Sequence, residues 1–107
     1  MKKEIWKPVL YENFCSEYWI NCTNRNYEVS NLGRIRNKKT GKILNLFVKD
    51  NALYWTMHYS RPGYDHITLQ FRVSHVVYGS FVGNCYDHKI YHKDNDIFNN
   101  SLDNLYM

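Results

Sequence analysis

Apolar and polar residues alternate over Tyr27-Glu28-Val29-Ser30 and again over Arg34-Ile35-Arg36-Asn37. That two-residue period predicts two short strands, with Ile35 facing inward and both arginines on the opposite face. Asn31-Leu32-Gly33 supplies the turn between them, and Gly33 is free to take positive φ. Lys38-Lys39-Thr40-Gly41 makes a second turn, after which Lys42-Ile43-Leu44 resumes an extended run. The result is a small antiparallel meander with one basic face. Ahead of it, Ile5 to Leu10 reads as a short extended segment anchored by Trp6 and Val9, and Pro8 keeps it out of a sheet interior. Residues 11–26 read as a loop with one helical turn.

Strand character continues over residues 45–72. Ala52 to Tyr59 and Ile67 to Phe71 flank a turn at Arg61-Pro62-Gly63, the pattern of a hairpin. The period then changes. Val73, Val76, Val77, Ser80 and Phe81 fall at the spacing of a helix stripe. Gly83 stands where a helix cap is expected. His88 to His92 reads as a short strand, followed by a polar loop over 93–100 and the segment Ser101-Leu102-Asp103-Asn104-Leu105. The fold class is α+β, built from small antiparallel sheets with one short helix. The chain divides near residue 72 into regions 1–72 and 73–107, packed as one compact unit.

At 107 residues the chain has room for one thin core, yet 44% apolar and 17% aromatic residues exceed what a disordered chain carries. No apolar run approaches the ~20 residues that cross a bilayer. The basic start lacks the apolar stretch of a secretory signal, so a cytoplasmic setting is expected. Cys15, Cys22 and Cys85 form no C-x-x-C pair, which argues against a zinc knuckle and for reduced, packed thiols. A Cys15–Cys22 disulfide is the alternative in an oxidising compartment. The net charge is +4. Residues 27–42 account for a surplus of that size, because Arg34, Arg36, Lys38, Lys39 and Lys42 face only Glu28. Such a cluster is the footprint expected of a phosphate-backbone binder. Tyr54, Trp55 and Tyr59 are candidates to stack on bases, with at least two of them expected in the core.

Two stretches resemble known modules. Tyr27 to Asn37, followed by Thr40-Gly41-Lys42-Ile43-Leu44 and preceded by Glu4-Ile5-Trp6-Lys7-Pro8, resembles the nuclease-associated modular domain found ahead of HNH homing endonucleases. Val73 to Gly83, then His92-Lys93-Asp94-Asn95-Asp96, Asn99-Asn100 and Leu102-Asp103-Asn104-Leu105, is similar to the HNH domain of phage and mobile-element endonucleases. The resemblance implies a ββα-metal lobe in which a histidine activates water beside a divalent ion. His92 matches that histidine, and Asn104 matches the asparagine that orients its loop. Asn99 and Asn100 match loop asparagines that satisfy backbone groups.

The sequence departs from the family at two places. The residue before the histidine is a metal ligand in the family, and here it is Tyr91, whose neutral phenol suits a hard divalent ion poorly. The other flanking ligand lies on a helix after the second strand, and the sequence stops at Met107 before that helix. The lobe is therefore expected to be incomplete, with His92 a relic base, no metal, and no cofactor. Mg²⁺ enters only if the site proves active.

These features imply a catalytically inactive HNH-like phage or mobile-element protein that binds DNA, or a DNA-handling nuclease complex of a bacterial host, and no membrane. Arg34, Arg36, Lys38, Lys39 and Lys42 are the expected phosphate contacts. An alternative is an inhibitor of the anti-CRISPR type that docks on a bacterial defence nuclease. Asp87, Asp94, Asp96 and Asp103 then imitate phosphates toward a basic groove. A second alternative is an active metal-dependent nickase.

Overall fold

The computed structural model describes residues 3–20, 23, 25–59 and 66–107, without the side chains of Tyr18 and Tyr59. The turn expected at Arg61-Pro62-Gly63 and the thiol of Cys22 lie outside the described residues. The first sheet pairs β1 (Trp6–Pro8), β2 (Tyr27–Ser30) and β3 (Ile35–Asn37) in antiparallel order β1-β2-β3. Pro8 sits on the edge strand, where its missing N–H breaks no ladder. Val29 pairs with Ile35, and both are fully buried. Gly33 takes φ +90° in the intervening turn, and the Ser30 hydroxyl accepts the N–H groups of Leu32 and Arg34 at 3.2 and 3.1 Å. At the second turn Asn37 Oδ1 accepts the N–H of Lys39 at 2.8 Å. Lys42 to Leu44 returns along β3 through a single bridge, Arg36 to Ile43, rather than as a full strand.

The segment over 11–26 folds as a 3-10 turn, Tyr11–Asn13, and one helical turn, α1 (Glu17–Ile20). The second sheet has the order β4-β5-β6, from β4 (Phe47–Lys49), β5 (Ala52–Tyr59) and β6 (Ile67–Arg72). β6 runs straight into α2 (Val73–Phe81), the helix that the apolar stripe predicts. Its end differs from expectation. Val82 is the cap, and Val82 and Gly83 both donate to the Tyr78 carbonyl, while positive φ among the described glycines is confined to Gly33 and Gly41. The last sheet is β7 (Tyr91–His92) with β8 (Leu105–Tyr106), antiparallel, so the strand expected over 88–92 covers only its final two residues.

Helix α2 packs on strands of both larger sheets. Val73, Val76 and Val77 have no exposed surface, and they meet an aromatic cluster of Tyr11, Phe14, Trp55 and Phe71. Rings touch edge to face: Phe14 and Phe71 lie 5.3 Å apart at 84°, Tyr27 and Trp55 5.1 Å apart at 70°. Gly79 permits the close approach of helix to loop, since a Cβ there would stand 3.0 Å from the Phe14 ring. Cys15 and Cys85 are buried. Burial pushes the Cys85 thiol up to about 11, which keeps it a protonated, inert packing group. No helix among the described residues is long and apolar enough to cross a membrane.

The second sheet sorts its residues by parity. Trp55 and Met57 are 2% exposed, while Tyr54 and Thr56 lie on the other face. Trp55→Ala should therefore cost about 3–5 kcal/mol, and Tyr54→Ala about 1 kcal/mol or less. Urea unfolding followed by circular dichroism checks this, and equal losses would contradict the assignment of faces.

Candidate nucleic-acid interface and histidine loop

The strand alternation places Arg34 and Arg36 on one face of the meander, as the sequence predicts, but they do not stand free there. Both guanidiniums lie over the Trp6 ring, at 5.6 and 4.0 Å from its centre. Arg34 grips both carboxylate oxygens of Glu4, with its Nε at 2.8 Å. The same contact holds the Glu4 carboxyl below its usual range and raises Arg34. Arg36 pairs with Glu28 at 2.9 Å. Each expected arginine contact thus already carries a carboxylate. Lys38, Lys39 and Lys42 are exposed, and among the described residues no carboxylate pairs with them.

A second surface emerges on the outer face of β4-β5-β6. Cross-strand register sets Phe47 beside Tyr54, Tyr54 beside Arg72, Thr56 beside Gln70, and His58 beside Thr68. Arg72 Nε donates to the Tyr54 hydroxyl at 3.2 Å, and Lys49 Nζ to Gln70 Oε1 at 3.4 Å. Phe47 stacks on Tyr54 at 5.8 Å. None of the three strands contains an acidic residue. A groove of about 340 Å³ brings Lys42 and Asn45 beside Thr56 and His58, so part of the basic meander borders this sheet. Of the expected stacking residues, Trp55 belongs to the core and Tyr54 to the outer face. The Tyr59 side chain lies outside the described residues.

The turn from β7 to β8 carries the residues matched to HNH chemistry. Asp94 is its hub. Its carboxylate accepts from Asn99 Nδ2 at 2.7 Å, from the Asp96 N–H at 2.9 Å and from Asn104 Nδ2 at 2.9 Å. Those bonds, the Asn99 side chain first, lower its pKa from 3.8 to about 2. Asn104 also donates to the Asn99 carbonyl at 2.9 Å, so its amide ties Asp94 to the backbone of Asn99. His92 Nε2 lies 2.8 Å from Asn100 Oδ1. Asn100 therefore does more than satisfy backbone, a role that sequence reasoning missed because the partners sit eight positions apart across a turn.

The family resemblance implies a divalent ion beside His92, and the residues present do not fit one. Tyr91 stacks on Tyr106 with centroids 5.3 Å apart, and both oxygens of Asp94 already accept hydrogen bonds within the loop. Among the described residues no three His, Cys, Asp or Glu side chains gather. The acidic candidates do not form one patch of free carboxylates either. Asp96 accepts the Phe98 N–H at 2.9 Å, Asp103 lies in the 3-10 turn Leu102–Asn104 and is not without a partner, and Asp87 sits in a left-handed turn at φ +63°.

Asp94 makes the loop sensitive to acid. Its folded pKa is depressed, so its contribution to stability is complete above pH 3.8 and is lost as pH falls toward 2. Asp94→Asn should destabilise the protein at neutral pH and flatten the loss of stability across that window, measured by urea unfolding at a series of pH values. An unchanged acid dependence would contradict the hub role.

Comparison with known proteins agrees with this layout. A solved structure described as "DNA binding and cleavage by the HNH homing endonuclease I-HmuI" is similar over 94% of this chain, with TM-score 0.61 and 24% identity. This chain spans half the length of that one, and at such identity the likeness is one of fold. No curated protein matches the sequence. Residues 4–60 match the family model described as the NUMOD4 motif, which takes in the strands and turns that resemble a nuclease-associated module. That match covers more than half of the 107 residues, and the chain belongs to the NUMOD4 motif family, with the fold of an HNH homing endonuclease.

Proposed function

We propose that the protein binds duplex DNA through the outer face of β4-β5-β6, with Lys38, Lys39 and Lys42 flanking it on the phosphate backbone. The observation that carries this reading is the acid-free face itself. It presents Lys49, Tyr54, Thr56, His58, Thr68, Gln70 and Arg72 on three twisted strands. A β-ribbon fits the major groove, Arg and Gln offer bidentate contacts to guanine and adenine edges, and Lys and Thr suit phosphates. Arg34 and Arg36 serve this surface indirectly, by clamping Trp6 and the edge strand. Residues 1–72 form the DNA-binding module and 73–107 the HNH-like region in this reading, and the family match over 4–60 supports the first of these. DNA binding and cleavage by the solved relative supports DNA as the partner.

The HNH-like region acts here without hydrolysis, because Tyr91 and the engaged Asp94 leave His92 no ion to work beside. One observation favours the second reading, a nickase: His92 is held in a defined orientation by Asn100. The protein-docking alternative gains nothing comparable, since carboxylates bonded within their own loop are poor phosphate mimics.

Mobility shift on random duplex at two salt concentrations tests the DNA reading. Arg72→Ala should weaken binding roughly tenfold, and Lys49→Ala should lower the salt slope by about 0.9. If both bind like wild type while Lys38→Ala and Lys39→Ala lose affinity, the meander and not the sheet is the interface. Supercoiled plasmid incubated with Mg²⁺ should stay intact. Metal-dependent nicking that disappears in His92→Ala would overturn the inactive reading in favour of the nickase.

A further inference from the structure

Two stretches far apart in sequence, residues 3–5 and 100–102, converge on the turn between β2 and β3. Asn31 Oδ1 accepts the Ile5 N–H at 2.7 Å, its Nδ2 donates to the Lys3 carbonyl at 3.1 Å, and its own carbonyl accepts the Leu102 N–H at 2.7 Å. Two residues on, Gly33 lies flat against Asn100. A Cβ at Gly33 would stand 3.0 Å from the Asn100 Cβ and 3.1 Å from its carbonyl oxygen. The turn cannot yield easily, because Ser30 Oγ holds the N–H groups on both sides of Gly33.

Asn100 passes this contact on. It is 2% exposed, and its Nδ2 donates to the Ile97 carbonyl at 3.0 Å, which fixes the amide with Oδ1 toward His92. An amide oxygen only accepts, so the His92 nitrogen 2.8 Å away carries the proton. In the neutral ring this is the Nε2–H tautomer, with the lone pair on Nδ1. We propose that the Asn31–Gly33 turn is a positioning element for His92, acting through Asn100 to fix the tautomer and direction of the imidazole. The NUMOD4 motif thereby controls the geometry of the HNH-like loop, and a ligand that shifts β2 or β3 is felt at His92. Use of that geometry in catalysis rests on the nickase reading, but the geometry does not, and the test reads the geometry alone.

The test is the ring N–H of His92 followed by ¹⁵N-edited NMR in the full chain. In the wild type the proton should sit on Nε2 and exchange slowly with water. Gly33→Ala should speed that exchange by about tenfold, the scale of one weakened buried hydrogen bond. Gly41→Ala is the control. Gly41 also has positive φ, +74°, but a Cβ there meets nothing within 4 Å, so it carries the backbone strain without the contact. It should leave the His92 signal unchanged. If Gly33→Ala does not fold, Leu102→Pro replaces it. Proline is tolerated at the start of a helical turn and removes the N–H that ties the loop to Asn31. It should speed exchange in the same way. A neutral wild-type ring with its proton on Nδ1 overturns the proposal. So does a His92 signal equally affected by Gly33→Ala and Gly41→Ala, or one unmoved by whichever of Gly33→Ala and Leu102→Pro folds.

Discussion

Helix α2 lays Val73, Val76 and Val77 into a core that Trp55 enters from the second sheet and Val29 and Ile35 from the first. Three-stranded sheets of this length need a covering element, and here one helix of nine residues covers both. Burial of the valine stripe therefore positions every functional surface at once. It leaves the far face of β4-β5-β6 toward solvent, and Gly79 brings the helix down onto Phe14 so that the aromatic cluster closes. The loop that carries His92 contacts the β2–β3 turn through Leu102 N–H to the Asn31 carbonyl and through Asn100 against Gly33.

Charge in this molecule is organised by space and not by chain position. The basic segment 27–42 holds a surplus equal to the whole net charge, yet its two arginines are neutralised by Glu4 and Glu28 and laid over Trp6. On the proposed reading, phosphates meet the lysine turn and the sheet face that borders it. A guanidinium that already grips a carboxylate must give it up before taking a phosphate, whereas an unpaired lysine or a sheet without acids meets no such competition. On the proposed reading the DNA-binding surface is built from the polar parity of a hairpin, and the basic hairpin beside it supports the structure.

Much of this was legible in the sequence where the signal is local. The turns at Gly33 and Gly41, the strands 27–30 and 35–37 and the helix 73–81 follow from spacing and turn chemistry within a few residues. The family membership was legible for the same reason, as runs of motif residues. Non-local pairings were not. Arg34 and Glu4 are thirty positions apart, and no local charge sum joins them. Alternation over 52–59 gives two faces without saying which is buried, so Tyr54 and Trp55 were equal candidates until β6 and α2 covered one side. Gly33 was read as a residue that allows a turn, and its second role, making room for Asn100, needs the fold.

The proposed seat of DNA is the outer face of β4-β5-β6. Amide chemical-shift mapping with a short duplex reads this directly. The largest shifts should fall at Lys49, Tyr54, Thr56, Thr68, Gln70 and Arg72, with smaller ones at Lys38, Lys39 and Lys42. Shifts confined to Arg34 and Arg36, or to residues 86–107, would contradict it.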